Sequence, residues 1–316
     1  MNFPRTLIEF ERSFATEEDC IEFLRAQRWR EGFRCPRCGG ARAWQLRTRP
    51  LDQCATCDHQ VSLTAGTVFQ GTRRPLVLWF RVIARFVTSK SGCSALEISR
   101  LHGLNYETAW TWLHKIRWLM DRSRGERLRG AVEADEAIVG GRKSGFRGRQ
   151  LRSEKIAVLA AIEQRGRGSG RLRMRPSTST NTGAIHDFIT ANVQPGTMIA
   201  TDAFSSYRVL PALGYQHRPI VLSVGNLYAS EQNASKYLPR IHRVFSLLKR
   251  LLLGTYHGGI SRKHFCAYLD EFVFRFNRRT ASSPLLLARR VLESAFTPVP
   301  IRDALFARKP QWLVAT

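Results

Sequence analysis

The spacing of apolar positions changes along this chain, and the change separates two kinds of element. Between residues 74 and 122 the apolar side chains recur at helical spacing. The stretch Leu76 to Phe86 is apolar on most faces, which predicts a packed helix. Ser94 and Glu97 follow at the spacing of an S-x-x-E capping box, ahead of Ile98 and Leu101. Gly103 interrupts the run, and Asn105-Tyr106-Glu107-Thr108-Ala109-Trp110 opens another helix that extends to about Met120. A short helix, a glycine turn and a second helix make the pattern of a helix-turn-helix. From about residue 131 the pattern becomes that of strands. Ala131–Val139, Lys155–Ile162, Arg171–Arg175, Thr197–Thr201 and Pro219–Leu222 read as five strands. Helices are predicted over Thr182–Asn192 and from Pro239 to Leu253.

The order of three strands, a helix, two strands and a long helix is that of an RNase-H-like α/β fold. In that fold the first strand carries an acid near its middle, and the strand after the first helix delivers another at its end. Asp135 and Asp202 fall at those two positions. Two carboxylates brought side by side repel, so the pair calls for a cation between them. Mg²⁺ or Mn²⁺ held there forms the kind of clamp used in phosphodiester cleavage. The turn between the first two strands is basic, with Arg142, Lys143, Arg147 and Arg149.

Cysteine spacing adds a second metal site. Cys35-Pro36-Arg37-Cys38 and Cys54-Ala55-Thr56-Cys57 are two Cys-x-x-Cys pairs with 15 residues between them. That gap suffices for a short hairpin that brings the pairs together, so four thiolates can close a tetrahedral Zn²⁺ site. Four protein ligands leave no open position for chemistry, so the zinc is structural. Gly39-Gly40 follows the first knuckle, and His59 lies close enough to substitute for a cysteine. Cys20, Cys93 and Cys266 are isolated and read as small buried apolar residues.

Charge narrows the choice of partner. The chain of 316 residues has 50 Lys and Arg against 25 Asp and Glu, a net +25. Such an excess suits a polyanion, and nucleic acid is the first candidate because released counterions drive its binding. In the second helix of the helix-turn-helix, Tyr106, Glu107 and Thr108 would face base edges, and Lys115 and Arg117 would lie nearer phosphate. Trp110, Trp112 and Trp118 read as core. No run reaches the roughly 18 apolar residues of a membrane span. The opening residues carry acids early and do not read as a signal peptide. The expected location is the cytoplasm, in association with the bacterial nucleoid.

Several motifs resemble those of bacterial insertion-sequence transposases with an N-terminal zinc ribbon. Val-Glu-Ala-Asp-Glu-Ala-Ile-Val-Gly-Gly around Asp135 resembles their first-acid motif, and Thr201-Asp202-Ala203-Phe204-Ser205-Ser206-Tyr207 their second. The stretch from Leu247 to Arg279, with Lys249-Arg250, Gly254-Thr255-Tyr256-His257, Lys263-His264 and Tyr268-Leu269-Asp270-Glu271-Phe272, is similar too. The resemblance runs from about residue 17 to 285. It implies a DDE-type transposase that binds the terminal inverted repeats of its own element as double-stranded DNA. It implies metal-dependent nicking that leaves a 3′-OH, transfer of that end to target DNA, and a homo-oligomer. The family usually places Glu or another polar ligand on the last helix, seven residues before a lysine. Here that position is His242, before Lys249. His242 is then the expected third metal ligand and Lys249 a phosphate contact, with Glu231 and Glu271 as other candidates for the third acid. The alternative is a catalytically impaired descendant that keeps DNA binding.

The organisation expected is multidomain α+β. A zinc ribbon spans 17–70, a helix-turn-helix-like DNA-binding segment 71–125, an RNase-H-like catalytic domain 130–285, and a C-terminal tail 286–316.

Overall fold

A computed structural model of the chain describes residues 3–46, 50–121, 126–140, 155–220, 237–258 and 260–296. The chain divides into two compact units. One comprises Met1–Arg122 and Thr280–Arg308; the other contains Ser123–Arg279.

The first unit begins with two helices, α1 (Leu7–Ser13) and α2 (Glu17–Arg28), each opened by a threonine capping box. Three short strands follow, β1 (Ala43–Gln45), β2 (Leu51–Cys54) and β3 (Gln60–Ser62), paired antiparallel in that order. Buried Asp52 on β2 accepts from Arg25 Nε at 3.0 Å and Trp29 Nε1 at 2.7 Å, which docks this small sheet on α2. Helix α3 (Leu76–Thr88) starts at a proline and has no cap of its own. The Glu17 carboxylate supplies one, accepting the Leu76 and Val77 N–H groups at 2.9 and 3.2 Å.

Helices α4 (Ala95–His102) and α5 (Tyr106–Asp121) form the expected helix-turn-helix. Ser94 caps α4, and Gly103 ends it in the left-handed region at φ 62, a conformation that favours glycine. Trp112 stacks on Trp79 with ring centroids 3.6 Å apart, which confirms its place in the core. Helix α9 (Leu285–Ser294), within the segment expected as a tail, packs on α3 and α5 through Leu285, Leu287, Ala288, Val291 and Leu292. Cys20 and Cys93 are buried as expected, and Cys266 is half-buried.

The second unit is built on five strands: β4 (Ala131–Val139), β5 (Ile156–Arg165), β6 (Gly168–Ser177), β7 (Met198–Thr201) and β8 (Gln216–Pro219). Their order in the sheet is β6-β5-β4-β7-β8. The first three are antiparallel neighbours, whereas β7 runs parallel to β4 and β8 parallel to β7. This is the RNase-H-like arrangement expected from the order of elements. Helix α6 (Thr182–Asn192) covers one face through Ile185, Phe188 and Ile189, against Val132, Ala134, Leu159 and Ile199. Helices α7 (Pro239–Gly254) and α8 (Phe265–Asn277) cover the other, packing Ile241, Val244, Phe245, Leu248 and Phe272 on Val158, Ala160 and Ala200.

The fifth strand differs from expectation. It occupies Gln216–Pro219 instead of Pro219–Leu222, because β7 pairs Met198 with Gln216 and Thr201 with Pro219. Its Gln, His and Arg side chains suit an edge strand, which need not be an apolar run. Val221 and Leu222 lie outside the described residues, as do Arg142, Lys143, Arg147, Arg149 and Glu231.

Strand β6, at the opposite edge, is tied down by a side chain. Asn277 at the end of α8 accepts the Leu172 N–H at 2.7 Å and donates to the Leu172 carbonyl at 3.0 Å. Asn277→Ala would leave both main-chain groups without this partner. It should lower the unfolding free energy by about 1–3 kcal/mol. Denaturant titration followed by circular dichroism measures this, and an unchanged midpoint would deny Asn277 that role.

Candidate functional site

The cysteine quartet closes as a local structure. Cys35 and Cys38 lie in one turn, Cys54 at the end of β2, and Cys57 in the turn before β3. The four sulfurs all lie within 4.8 Å of one another. Cys35 Sγ is 3.7 Å from Cys57 Sγ, and Cys38 Sγ is 3.5 Å from Cys54 Sγ. A tetrahedron with 2.3 Å Zn–S bonds has edges of about 3.8 Å, so the sulfurs already stand near zinc spacing. The Gly40 and Thr56 N–H groups donate to Cys38 and Cys54 sulfurs at 3.4 Å, each with the polarity that favours thiolate. The Thr56 N–H is the leading influence that lowers the Cys54 thiol to about 6. A Cβ on Gly40 would come within 2.8 Å of Thr56 Oγ1 and 3.2 Å of Cys54 Sγ, so the knuckle requires glycine. His59 takes no part as a ligand; its carbonyl accepts the Cys54 N–H. The quartet fits a structural zinc.

The acids of the second unit are organised by β4. Side chains alternate along a strand, so Val132 and Ala134 face α6, and Glu133, Asp135 and Ala137 face α7. Asp135 is 6% exposed, and its Oδ1 accepts the Glu136 N–H at 2.8 Å. Its Oδ2 lies 3.8 Å from His242 Nε2 on α7. Parallel pairing with β7 reaches Glu133 and Ala200, and two residues further along each strand stand Asp135 and Asp202. Just past β7, Asp202 Oδ1 accepts the Phe204 N–H at 3.1 Å. The turn is tight, with Ala203 at φ 64, and is braced by Thr201, whose Oγ1 accepts the Ala203 N–H and pairs with His217 Nε2 at 3.0 Å. Desolvation lowers the pKa of His217. Asp135, Asp202 and His242 do not close to the 4.8 Å spacing of the cysteines. Lys249 stands seven residues after His242 on the same helix and is exposed. That interval is close to two turns, so the two share a face.

Glu271 stands elsewhere. It is fully buried and accepts from Tyr256 Oη at 3.0 Å and Arg275 Nε at 2.9 Å, a set of bonds that ties α8 to the segment after α7. In the helix-turn-helix, Tyr106 is 53% exposed and Thr108 half-buried. Lys115 is half-buried and Arg117 buried, where phosphate contacts were expected. Lys115 Nζ donates to the Val68 carbonyl at 3.1 Å, and Arg117 is 1% exposed with its guanidinium over Phe86. The reason is that α5 is enclosed on most sides, with Ala109, Trp112, Leu113, Ile116, Leu119 and Met120 all buried.

Residues unforeseen from the sequence surround Asp135. Glu133 accepts from the start of α7 through Arg240, and Glu136 accepts from Tyr207. The acids at positions two before and one after Asp135 were visible in the Val-Glu-Ala-Asp-Glu motif, but their partners were not.

The chain thus combines a four-cysteine ribbon that fits structural zinc with an RNase-H-like sheet that has an acid on its first strand and another just past its fourth. Known proteins match the chain in both parts. Residues 15–60 match the transposase zinc-ribbon domain, and residues 127–277 match the ISXO2-like transposase domain. An uncharacterized protein in transposable element ISH50 of Halobacterium salinarum is 23% identical over 284 residues, covering 84% of this chain and 92% of that one. Among solved structures, the Mos1 strand transfer complex is similar at 12% identity and a TM-score of 0.20, over 68% of this chain and 78% of that one. The Mos1 transposase paired-end complex with left transposon end gives the same identity and TM-score, over 70% and 80%. The chain belongs with the insertion-sequence transposases, carrying the zinc ribbon and the ISXO2-like transposase domain in that order. Among the described residues no helix is long and apolar enough to cross a membrane.

Gly40→Ala tests the ribbon. Competition with a chromophoric chelator should give a zinc affinity lower by about tenfold or more, since the added methyl crowds the Cys54 and Cys38 sulfurs at 3.2 and 3.3 Å. An affinity equal to wild type would mean that the knuckle tolerates a side chain.

Proposed function

We propose that the chain binds the ends of its own insertion sequence as double-stranded DNA and cuts and joins strands at a metal centre formed by Asp135, Asp202 and His242. The meeting of buried Asp135 with His242 across β4 and α7, at 3.8 Å, is the observation that carries this reading. Asp202, two residues past the last β4–β7 pair, supplies the second carboxylate. Hard carboxylate oxygens suit Mg²⁺ or Mn²⁺, and an imidazole suits Mn²⁺ better than Mg²⁺. Such ions activate water and stabilise the entering and leaving oxygens of an in-line displacement at phosphorus.

The chain's own residues do the rest. Asp135 and Asp202 hold negative charge where cations must sit, and burial around Asp135 strengthens that field. Lys249, exposed on the His242 face, would take a backbone phosphate beside the scissile bond. With a chain charge of +25, DNA held across such a surface displaces many counterions. Tyr106, Glu107 and Thr108 at the start of α5 would meet base edges. Lys115 and Arg117 would support that helix from within. Bridging two element ends would take a homo-oligomer. The zinc ribbon, largely exposed, would add a further DNA contact through its own unit.

His242 stands where the family resemblance leads one to expect Glu or another polar ligand, and this favours one other reading, a DNA-binding descendant that no longer cuts. Strand cleavage and joining on labelled element ends, with Mg²⁺ and separately with Mn²⁺, decides between them. The proposal expects wild-type activity, greater with Mn²⁺. It expects losses of about 10³-fold or more in Asp135→Ala, Asp202→Ala and His242→Ala with end binding intact. End binding without cleavage under either metal would favour the second reading. Activity surviving in His242→Ala would move the third ligand to another residue, and Glu231 would be tested next.

A further inference from the structure

We infer that Glu133 and Glu136 are positioning residues of the proposed centre, each fixing to β4 one of the elements that carry its other ligands. The inference rests on the reading of Asp135, Asp202 and His242 as that centre.

Helix α7 cannot cap itself. It begins at Leu238-Pro239 and makes no side-chain cap hydrogen bond, and Pro239 has no N–H to offer. Its first free donors are the Arg240 and Ile241 N–H groups. Glu133 Oε2 accepts both, each at 2.9 Å. Glu133 Oε1 accepts from Arg240 Nη1, also at 2.9 Å. The remaining Arg240 nitrogens donate to the Gly168 carbonyl at 2.9 Å and the Gly166 carbonyl at 2.7 Å, in the turn between β5 and β6. A carboxylate at the positive end of a helix, paired to an arginine, makes strong charge-assisted bonds.

Glu133 is 1% exposed, so this charge is held with little help from water. The residue after Ile241 is His242, one step beyond the capped donors. The strand position two after Glu133 is Asp135, on the same face. Glu133 therefore determines where the first turn of α7 sits along β4, and with it the approach of His242 to Asp135. A bond made only for stability could sit anywhere along α7; this one is made at the turn that carries the imidazole.

The opposite face of β4 repeats the arrangement. Tyr207 Oη donates to Glu136 Oε2 at 2.8 Å. Tyr207 lies in the short helical turn Ser205–Val209 that follows Asp202. Burial, then the charges of Glu136, Asp135 and Asp202, hold its phenol well above the ordinary value, so it stays a donor at any working pH. The bond therefore joins the residue after Asp135 to the segment after Asp202. Two glutamates flanking the first acid thus hold the other two ligand-bearing elements in register.

The test uses the full-length, zinc-loaded protein and Mn²⁺ alone, with free Mn²⁺ read by electron paramagnetic resonance. Glu133→Gln retains one carbonyl acceptor for the helix, and Tyr207→Phe removes only a hydroxyl. Each should weaken Mn²⁺ binding by about 10- to 100-fold. Asn277→Ala, which destabilises the same unit away from β4, should leave Mn²⁺ affinity within about twofold of wild type, a factor worth about 0.4 kcal/mol. The inference is overturned if Glu133→Gln and Tyr207→Phe bind Mn²⁺ like wild type. It is overturned also if Asn277→Ala weakens binding as much as they do, because the effect would then be one of stability. Asp135→Ala separates the two levels. If it leaves Mn²⁺ affinity unchanged, the centre itself is absent and the positioning role falls with it. If it abolishes binding while the two glutamate-linked variants do not, only the positioning role is lost.

Discussion

Carboxylates set into a β-sheet have to be compensated, and β4 carries three within four residues, Glu133 and Asp135 buried and Glu136 half-buried. Leaving such charges uncompensated costs several kcal/mol each, so the surrounding structure is arranged to answer them. Glu133 is answered by a helix start and an arginine, Glu136 by a tyrosine hydroxyl, and Asp135 by its neighbour's N–H with an imidazole 3.8 Å away. The approach of that imidazole sets Asp135 apart from the other two acids of its strand.

The same logic appears in the first unit. Asp52 is buried on the ribbon and answered by Arg25 and Trp29, and Glu17 answers the uncapped start of α3. Thiolates are the counterpart in the ribbon, where main-chain N–H groups prepare sulfurs for zinc. Buried polar groups thus fix the relations between elements, while apolar side chains such as those of α6 and α7 supply most of the stabilisation, about 1.5–3 kcal/mol for each large one buried.

What was legible in the sequence was what local spacing controls. Cys35, Cys38, Cys54 and Cys57 announce the ribbon because ligand geometry is set within two short turns. Ser94, Glu97 and Gly103 announce a helix-turn-helix because caps act over three or four residues. Strand period and order gave the sheet, and the acids at 135 and 202 followed from it. What was not legible depends on distant partners. Arg117 looks like a phosphate contact until Phe86 and the rest of the unit enclose it. Glu133 is one acid of a motif until a helix more than 100 residues later needs its oxygens. The fifth strand was misplaced because an edge strand of Gln216, His217 and Arg218 has no apolar signature, and only pairing with β7 reveals it.

The central claim is that Asp135, Asp202 and His242 share one metal centre. Anomalous diffraction from crystals of the zinc-loaded protein soaked in Mn²⁺ addresses it most directly. The account predicts Mn²⁺ scattering beside Asp135, with Asp202 and His242 Nε2 at bonding distance, about 2.0–2.3 Å. Scattering at the cysteines alone, or at a position that His242 and Asp202 do not reach, would contradict it.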